Sequence, residues 1–347
     1  MNDISDENRR KKRYRILSLD GGGVKGAYTS SVLCTLEAIS GKSIREHFDL
    51  ITGTSTGGII AIAIGLGVPL TDIVDLYVKK GPVIFPTASA GIRGMVVSFC
   101  RHALRPKHSQ KILEESIHQV LGDRTFGESS NRLVIPAFNA VNGSIQLFKT
   151  AHSDAYRMDY KLTAKSVALS TSAAPTYYSA FTDAAGRSFL DGGVWANCPA
   201  MVGLVEATTA LNWPIDQIDV LSIGTTSEPF DVNEKRRKGG LLRWNKGIVD
   251  LLQEAQVCGT LGLAWAMTRQ RMVRIDAVTR PGRFSLDDAR EVSDLKALGE
   301  NSARQHAEKI SRQFLSIPAE PFEPCHRLVS NPESASRLQK SAQISRF

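Results

Sequence analysis

The chain has 347 residues, 42% of them hydrophobic and 22% charged, the balance of a soluble globular protein with a sizeable core rather than of a disordered or fibrous one. No apolar run reaches the ~18 residues of a membrane span, and MNDISDENRRKKRYR has no apolar h-region, so a cytoplasmic protein is expected. The net charge of +8 favours an anionic partner over a cationic one, and the five cysteines (Cys34, Cys100, Cys198, Cys258, Cys325) never fall at CxxC spacing, which argues against a zinc site or a disulfide framework.

Taken in chain order, strands and helices alternate, the pattern of an α/β fold. RILSLD (15–20) reads as a short buried strand, and Val32, Leu33, Leu36 and Ile39 give the following helix, 25–39, its apolar stripe. FDLITG (48–53) is a second strand, followed by the buried helix of IIAIAIGLGV (59–68). An amphipathic helix spans 109–121, and RLVIPAFNA (132–140) and SIQLFKT (144–150) read as paired strands around Val141-Asn142-Gly143. A helix from Thr163 stops at Pro175, RSFLDGG (187–193) is a strand running into a turn, and a helix follows Pro199. IDVLSIG (218–224) is another buried strand, 247–271 is helical, MVRIDAV (272–278) is a last strand, and 287–315 holds one or two amphipathic helices. One domain over 13–315, with C-terminal helical additions and flexible tails at 1–12 and 318–347, is the expected organisation.

Gly21, Gly23 and Gly26 fit GxGxxG between a strand and a helix, the context of a dinucleotide fingerprint. A ribose-binding unit also needs an acid at the tip of its second strand, and here that strand ends in GTSTGG. Asp20, directly before the glycines, is awkward for a pyrophosphate. Gly53-Thr54-Ser55-Thr56-Gly57 supplies another reading: GxSxG between a strand and an apolar helix is the setting of a nucleophile elbow, which exposes Ser55. A serine attacking an ester creates an oxyanion that needs preorganised N–H donors, and the run Gly21, Gly22, Gly23 can supply them.

Ser55 also needs a base. None of the seven histidines (His47, His102, His108, His118, His152, His306, His326) occupies a glycine-flanked strand end, and His152, just after a strand, comes nearest. Asp191 ends the strand RSFL before Gly192-Gly193, where open α/β sheets gather their sites, although aspartate also starts ordinary turns. A carboxylate with an ordinary pKa near 4 is a weak base toward serine. A Ser55–Asp191 pair therefore leans on the oxyanion donors in a dry pocket.

DGGGVKG (20–26), GTSTGG (53–58), SAAPTYYSAF (172–181) and DGG (191–193) together resemble, in order and spacing, the patatin-like phospholipases. The resemblance spans roughly 13–225 and departs mildly at the last motif, where many members carry DGA. It implies a three-layer α/β/α fold with a mostly parallel sheet, a Ser55–Asp191 dyad, an oxyanion loop at Gly21–Gly23, and metal-free hydrolysis of phospholipid acyl esters. Lys25 falls where the family often has a basic residue that helps orient the loop. FKTAH (148–152) and the C-terminal helices further resemble bacterial members that serve antiviral defence, are switched on by a cyclic dinucleotide and degrade the cell's own membrane. A cyclic dinucleotide activator and peripheral contact with the inner membrane are the partners this implies; a homo-oligomer is a separate expectation that the sequence does not fix.

Two segments mix cations with apolar residues in a way that suits anionic lipid: GIRGMVVSFCRHALRPKH (91–108), which is also readable as a core helix, and KRRKGGLLRW (235–244), also readable as a solvated loop. Neither KRRK nor RRKKRYR (9–15) has the interleaved aromatics of a nucleic-acid surface, and no nucleic-acid partner is expected. Three readings compete: a lipid acyl hydrolase with or without nucleotide gating, a dinucleotide-binding oxidoreductase, and a non-enzymatic membrane or regulatory module.

Overall fold

The computed structural model describes residues 12–85, 107–228, 237–238, 244 and 247–328. Most of the two basic-apolar segments lies outside the described residues, as do Arg9, Arg10 and Lys11 of the N-terminal cluster, Cys100 and His102.

The strands are β1 (Tyr14–Leu19), β2 (Leu50–Gly53), β3 (Arg132–Asn139), β4 (Ser144–Lys149), β5 (Phe181–Thr182), β6 (Ser188–Asp191), β7 (Ile218–Ile223) and β8 (Met272–Ile275). Among the described residues they form one sheet in the order β5-β6-β3-β2-β1-β7-β8, with β4 also paired to β3. The run β3-β2-β1-β7-β8 is parallel, whereas β4, β5 and β6 join antiparallel.

The central strands are apolar on both faces because both faces are covered. Leu17, Leu19, Ile51, Leu221 and Ile223 point into one core, and Ile16, Leu50, Val134 and Val220 into the other. The first core packs α1 (Gly26–Ser40), α2 (Thr56–Gly65), α3 (Leu70–Ile84), α4 (Gln110–Leu121) and α5 (Ala164–Thr171). The second packs α6 (Ala200–Thr209) and α7 (Gly247–Met267). The long α8 (Val292–Phe314) returns to the first face through Leu295, Ala303, Ile310 and Phe314. The architecture is thus a three-layer α/β/α sandwich. Every residue of α2 is buried, the expected fate of a helix that is apolar all round.

Three elements differ from the sequence reading. The helix α3 stands where no element was expected; its Pro82 sits in the last turn, near the C-terminal end. The helix from Thr163 ends at Thr171, before Pro175, because Ser172–Ala174 turn to accept the Asp191 amide. The first part of the expected C-terminal tail is fixed to the body: the Ala319 N–H donates to the Glu46 carbonyl at 2.7 Å and the Cys325 N–H to the Ala151 carbonyl at 2.7 Å.

Strand lengths position the site. Thr52 of β2 registers with Val134, and β2 ends one residue later. β3 runs on to Asn139, and this overhang receives β6, with Asp191 opposite Ala137. Asp191 is thereby delivered just beyond the end of β2, beside the turn that carries Ser55.

Candidate active site

The turn after β2 is sharp. Ser55 has φ 53° and ψ −121°, a left-handed conformation that costs a non-glycine residue about 1–3 kcal/mol and persists only where the surroundings impose it. A side chain on Gly57 would strike the carbonyl oxygen of Leu19 at the end of β1, so this position accepts only glycine. The elbow is held from the side by Thr171, whose hydroxyl accepts the Ser55 N–H at 3.0 Å and donates to the Pro136 carbonyl at 2.6 Å.

The Ser55 hydroxyl donates to Asp191 Oδ2 at 2.6 Å, and Asp191 Oδ1 accepts the Gly193 N–H at 2.7 Å. Burial pushes the Asp191 carboxyl up to about 6, opposed by these two hydrogen bonds. A carboxylate raised this far is a better proton acceptor than an exposed one and still ionised at neutral pH. Its backbone is fixed as well: the Asp191 N–H donates to the Ala173 carbonyl at 3.0 Å and the Gly192 N–H to the Thr171 carbonyl at 3.1 Å.

The glycine loop after β1 lies against the same turn: a side chain on Gly21 would come within 3.3 Å of the Ser55 Cβ. The Thr56 hydroxyl, one residue past the serine, donates to the Gly23 carbonyl at 2.8 Å and lies 2.6 Å from the Tyr77 hydroxyl. The three glycines are not equivalent. The Gly21 N–H is already given to the Asn197 carbonyl at 3.0 Å. The Gly22 and Gly23 N–H groups meet no acceptor among the described residues. They are the open backbone donors of this loop, whereas the Gly21 amide ties the loop to Asn197.

Asp20 has its own explanation. It is buried, and its Oδ2 lies 2.7 Å from the Arg274 guanidinium on β8, which also reaches Asp276 at 2.8 Å and the Ser222 hydroxyl at 2.8 Å. Burial pushes the Asp20 carboxyl up and Arg274 opposes it. The acid before the glycines therefore pins the loop to β8. Lys25 is buried too, and burial pushes its amine down against the charges of Glu228 and Asp276.

Comparison with known proteins agrees with this arrangement. A family model described as patatin-like phospholipase matches residues 17–204, which include the glycine loop, the elbow and Asp191. The chain belongs to the patatin-like phospholipase family. It is 34% identical over 249 residues to a cGAMP-activated phospholipase of Pseudomonas aeruginosa, covering 70% of this chain and 72% of that one. It is 30% identical over 347 residues to a cGAMP-activated phospholipase of Vibrio cholerae, covering 90% of this chain and 97% of that one. As a patatin-like phospholipase it is an acyl ester hydrolase.

The histidines lie elsewhere. His152 follows β4 at the level where β2 begins, and its Nε2 is 2.9 Å from Glu206 Oε1 in a buried cluster with Lys149 and Tyr156. His108 is buried on Asp287. Among the described residues no group of three or more His, Cys, Asp or Glu is placed to hold a metal, and no helix is long and apolar enough to cross a membrane.

Sequence reasoning did not find Thr171, Asn197 or Arg274. Thr171 and Asn197 flank motifs that it did find, and their local sequence announces ordinary helix and turn chemistry. The partner of Asp20 lies over 250 residues along the chain, and one buried acid beside a glycine loop does not say which arginine answers it.

Proposed function

We propose that this patatin-like phospholipase cleaves acyl esters of membrane phospholipids with Ser55 as nucleophile and Asp191 as its base. The observation that carries the reading is the 2.6 Å hydrogen bond from the Ser55 hydroxyl, on a strained elbow, to a buried carboxylate raised to about 6. Asp191 takes the serine proton as Oγ bonds to the ester carbonyl carbon, and the oxyanion meets the Gly22 and Gly23 N–H groups. Collapse of that intermediate expels the lysolipid alkoxide, which recovers the proton from Asp191. Water, deprotonated by the same carboxylate, then releases the fatty acid and restores Ser55. Oxyanion donors are worth about 3 kcal/mol each, and with no histidine in the pair they carry much of the rate.

The domain reading, 13–315 as one catalytic unit, suits this chemistry, since β8 and Arg274 brace the glycine loop. Relatives named as cGAMP-activated support a further step: catalysis gated by a cyclic dinucleotide, with the enzyme cytoplasmic and peripheral to the inner membrane when active, in antiviral defence. Fatty-acid release from anionic phospholipid vesicles, measured with a panel of cyclic dinucleotides including cGAMP and beside Ser55→Ala, tests both parts. Release with one nucleotide, abolished in the variant, is expected. Release without any nucleotide would remove the gating and keep the hydrolase, and release by Ser55→Ala would remove the nucleophile.

A further inference from the structure

The open N–H groups of Gly22 and Gly23 are useful only if their loop is held still, and one face of that loop rests on a segment far along the chain. Gly23 has φ 58°, and a side chain there would strike the carbonyl oxygen of Leu286. The same carbonyl accepts the Val24 N–H at 2.9 Å. Leu286 thus fixes the plane of the peptide that follows Gly23 by taking up the Val24 amide.

What holds Leu286 is the next residue. Asp287 is buried, and its Oδ2 lies 3.1 Å from His108 Nε2 and in an ion pair with the Lys107 ammonium, while Oδ1 accepts from the Ser285 hydroxyl at 3.0 Å. The His108 hydrogen bond, with the Lys107 charge, holds the Asp287 carboxyl well below the usual range despite its burial. His108 is in turn caged: its ring meets Phe85 edge-on at 5.5 Å and lies parallel to Tyr177 at 6.3 Å. The His108 N–H donates to the Tyr177 carbonyl at 2.9 Å and the Lys107 N–H to the Thr176 carbonyl at 3.1 Å. Thr176 and Tyr177 lie just past Ala173 and Ala174, across Pro175, and the Ala173 carbonyl holds the Asp191 N–H.

We propose that Asp287, clamped by His108 and Lys107, is a positioning residue that sets the oxyanion donors of Gly22 and Gly23 through the Leu286 carbonyl. The inference rests on the proposed hydrolytic role of this loop. The oxyanion exists only during reaction, so an error in the donors' position slows turnover and leaves substrate binding alone. A displacement of about 1 Å in such a site can cost about 100-fold in rate.

The test uses the full chain, a soluble short-chain nitrophenyl ester, and Ser55 titrated with a fluorophosphonate so that turnover is counted per reactive site. Asp287→Asn should lower kcat per titrated site about 30-fold with KM within twofold of the wild type. Ser285→Ala, at an exposed hydroxyl that can be removed without disturbing packing, should lower it about threefold in the same manner and keeps the test open if Asp287→Asn does not fold. A clamp that merely supports the fold would reduce the number of titratable sites and leave kcat per site unchanged, which would overturn the proposal. A rise in KM at constant kcat would overturn it as well. Absence of ester hydrolysis by the wild type, with Ser55 untitrated, would instead overturn the hydrolytic reading itself.

Discussion

Thr171 stands between Ser55 and the sheet: its hydroxyl accepts the Ser55 N–H at 3.0 Å while donating to the carbonyl of Pro136 at 2.6 Å. One side chain thus ties the strained elbow to β3, the strand whose overhang also receives Asp191. Thr171→Val keeps the shape and removes both bonds, leaving a buried amide and a buried carbonyl unpaired. A loss of about 1–3 kcal/mol in unfolding free energy is expected, with kcat on a soluble ester falling at least tenfold because Ser55 is no longer aimed. Urea unfolding and steady-state kinetics on the same preparation check both numbers.

The raised Asp191 carboxyl ties activity and stability to pH in opposite directions. Its folded pKa of about 6 lies above the ordinary 3.8, so the folded state holds a proton that the unfolded state has released between those values. Stability therefore falls as pH rises from about 4 to 6, by on the order of 1–3 kcal/mol, and the penalty remains at pH 7. With Asp191 as the proposed base, activity should rise over the upper part of that window, with kcat half-maximal near pH 6. Asp191→Asn should raise the Tm at pH 7.5 but not at pH 4, while removing turnover. Calorimetry at the two pH values and a pH–rate profile measure the pair of effects.

The Asp20–Arg274 pair gives a third expectation. Breaking a buried pair by removing one partner is destabilising by about 3–5 kcal/mol, because the remaining charge is left without compensation. Arg274→Met should approach that loss, and the double variant Asp20→Asn/Arg274→Met should recover a good part of it. Turnover should stay low in both, since the glycine loop loses its tie to β8. A denaturation series with kinetics on the double variant separates the two effects.

Much of the candidate site's geometry was legible in the sequence because its parts are local. GTSTGG and FLDGG place Ser55 and Asp191 at strand ends among glycines, and that setting needs no knowledge of distant residues. The alternation of apolar segments likewise fixed the class of the fold. What the sequence could not reveal is pairing across the chain. Nothing near Gly21 shows that its amide is spent on the Asn197 carbonyl, so three donors were expected where two are open. Asp20 read as an obstacle to phosphate, and its partner is Arg274 on the opposite side of the chain's length. The helix Leu70–Ile84 escaped notice although its apolar positions Leu70, Ile73, Leu76 and Tyr77 are all buried.

The cluster around Glu206 makes a prediction away from the site. Hydrogen bonds from His152, Lys149 and Tyr156 hold its carboxyl down at about 2, although burial works against them. A depressed folded pKa contributes stability above the unfolded value of 4.5 and loses it as pH falls toward 2. Glu206→Gln should therefore lose about 2–3 kcal/mol at pH 7 and progressively less below pH 4.5. Thermal melts across pH 3–7 follow this directly, and per-site kcat should be unaffected.

Where a fluorophosphonate reacts decides whether Ser55 is the activated serine. The intact protein, with and without cGAMP, is treated with the reagent, digested, and mapped by mass. A single adduct on Ser55, formed far more slowly in Asp191→Asn, is the predicted result. No adduct on Ser55 in either condition, or an adduct that forms as fast without Asp191, would mean that no buried carboxylate activates Ser55.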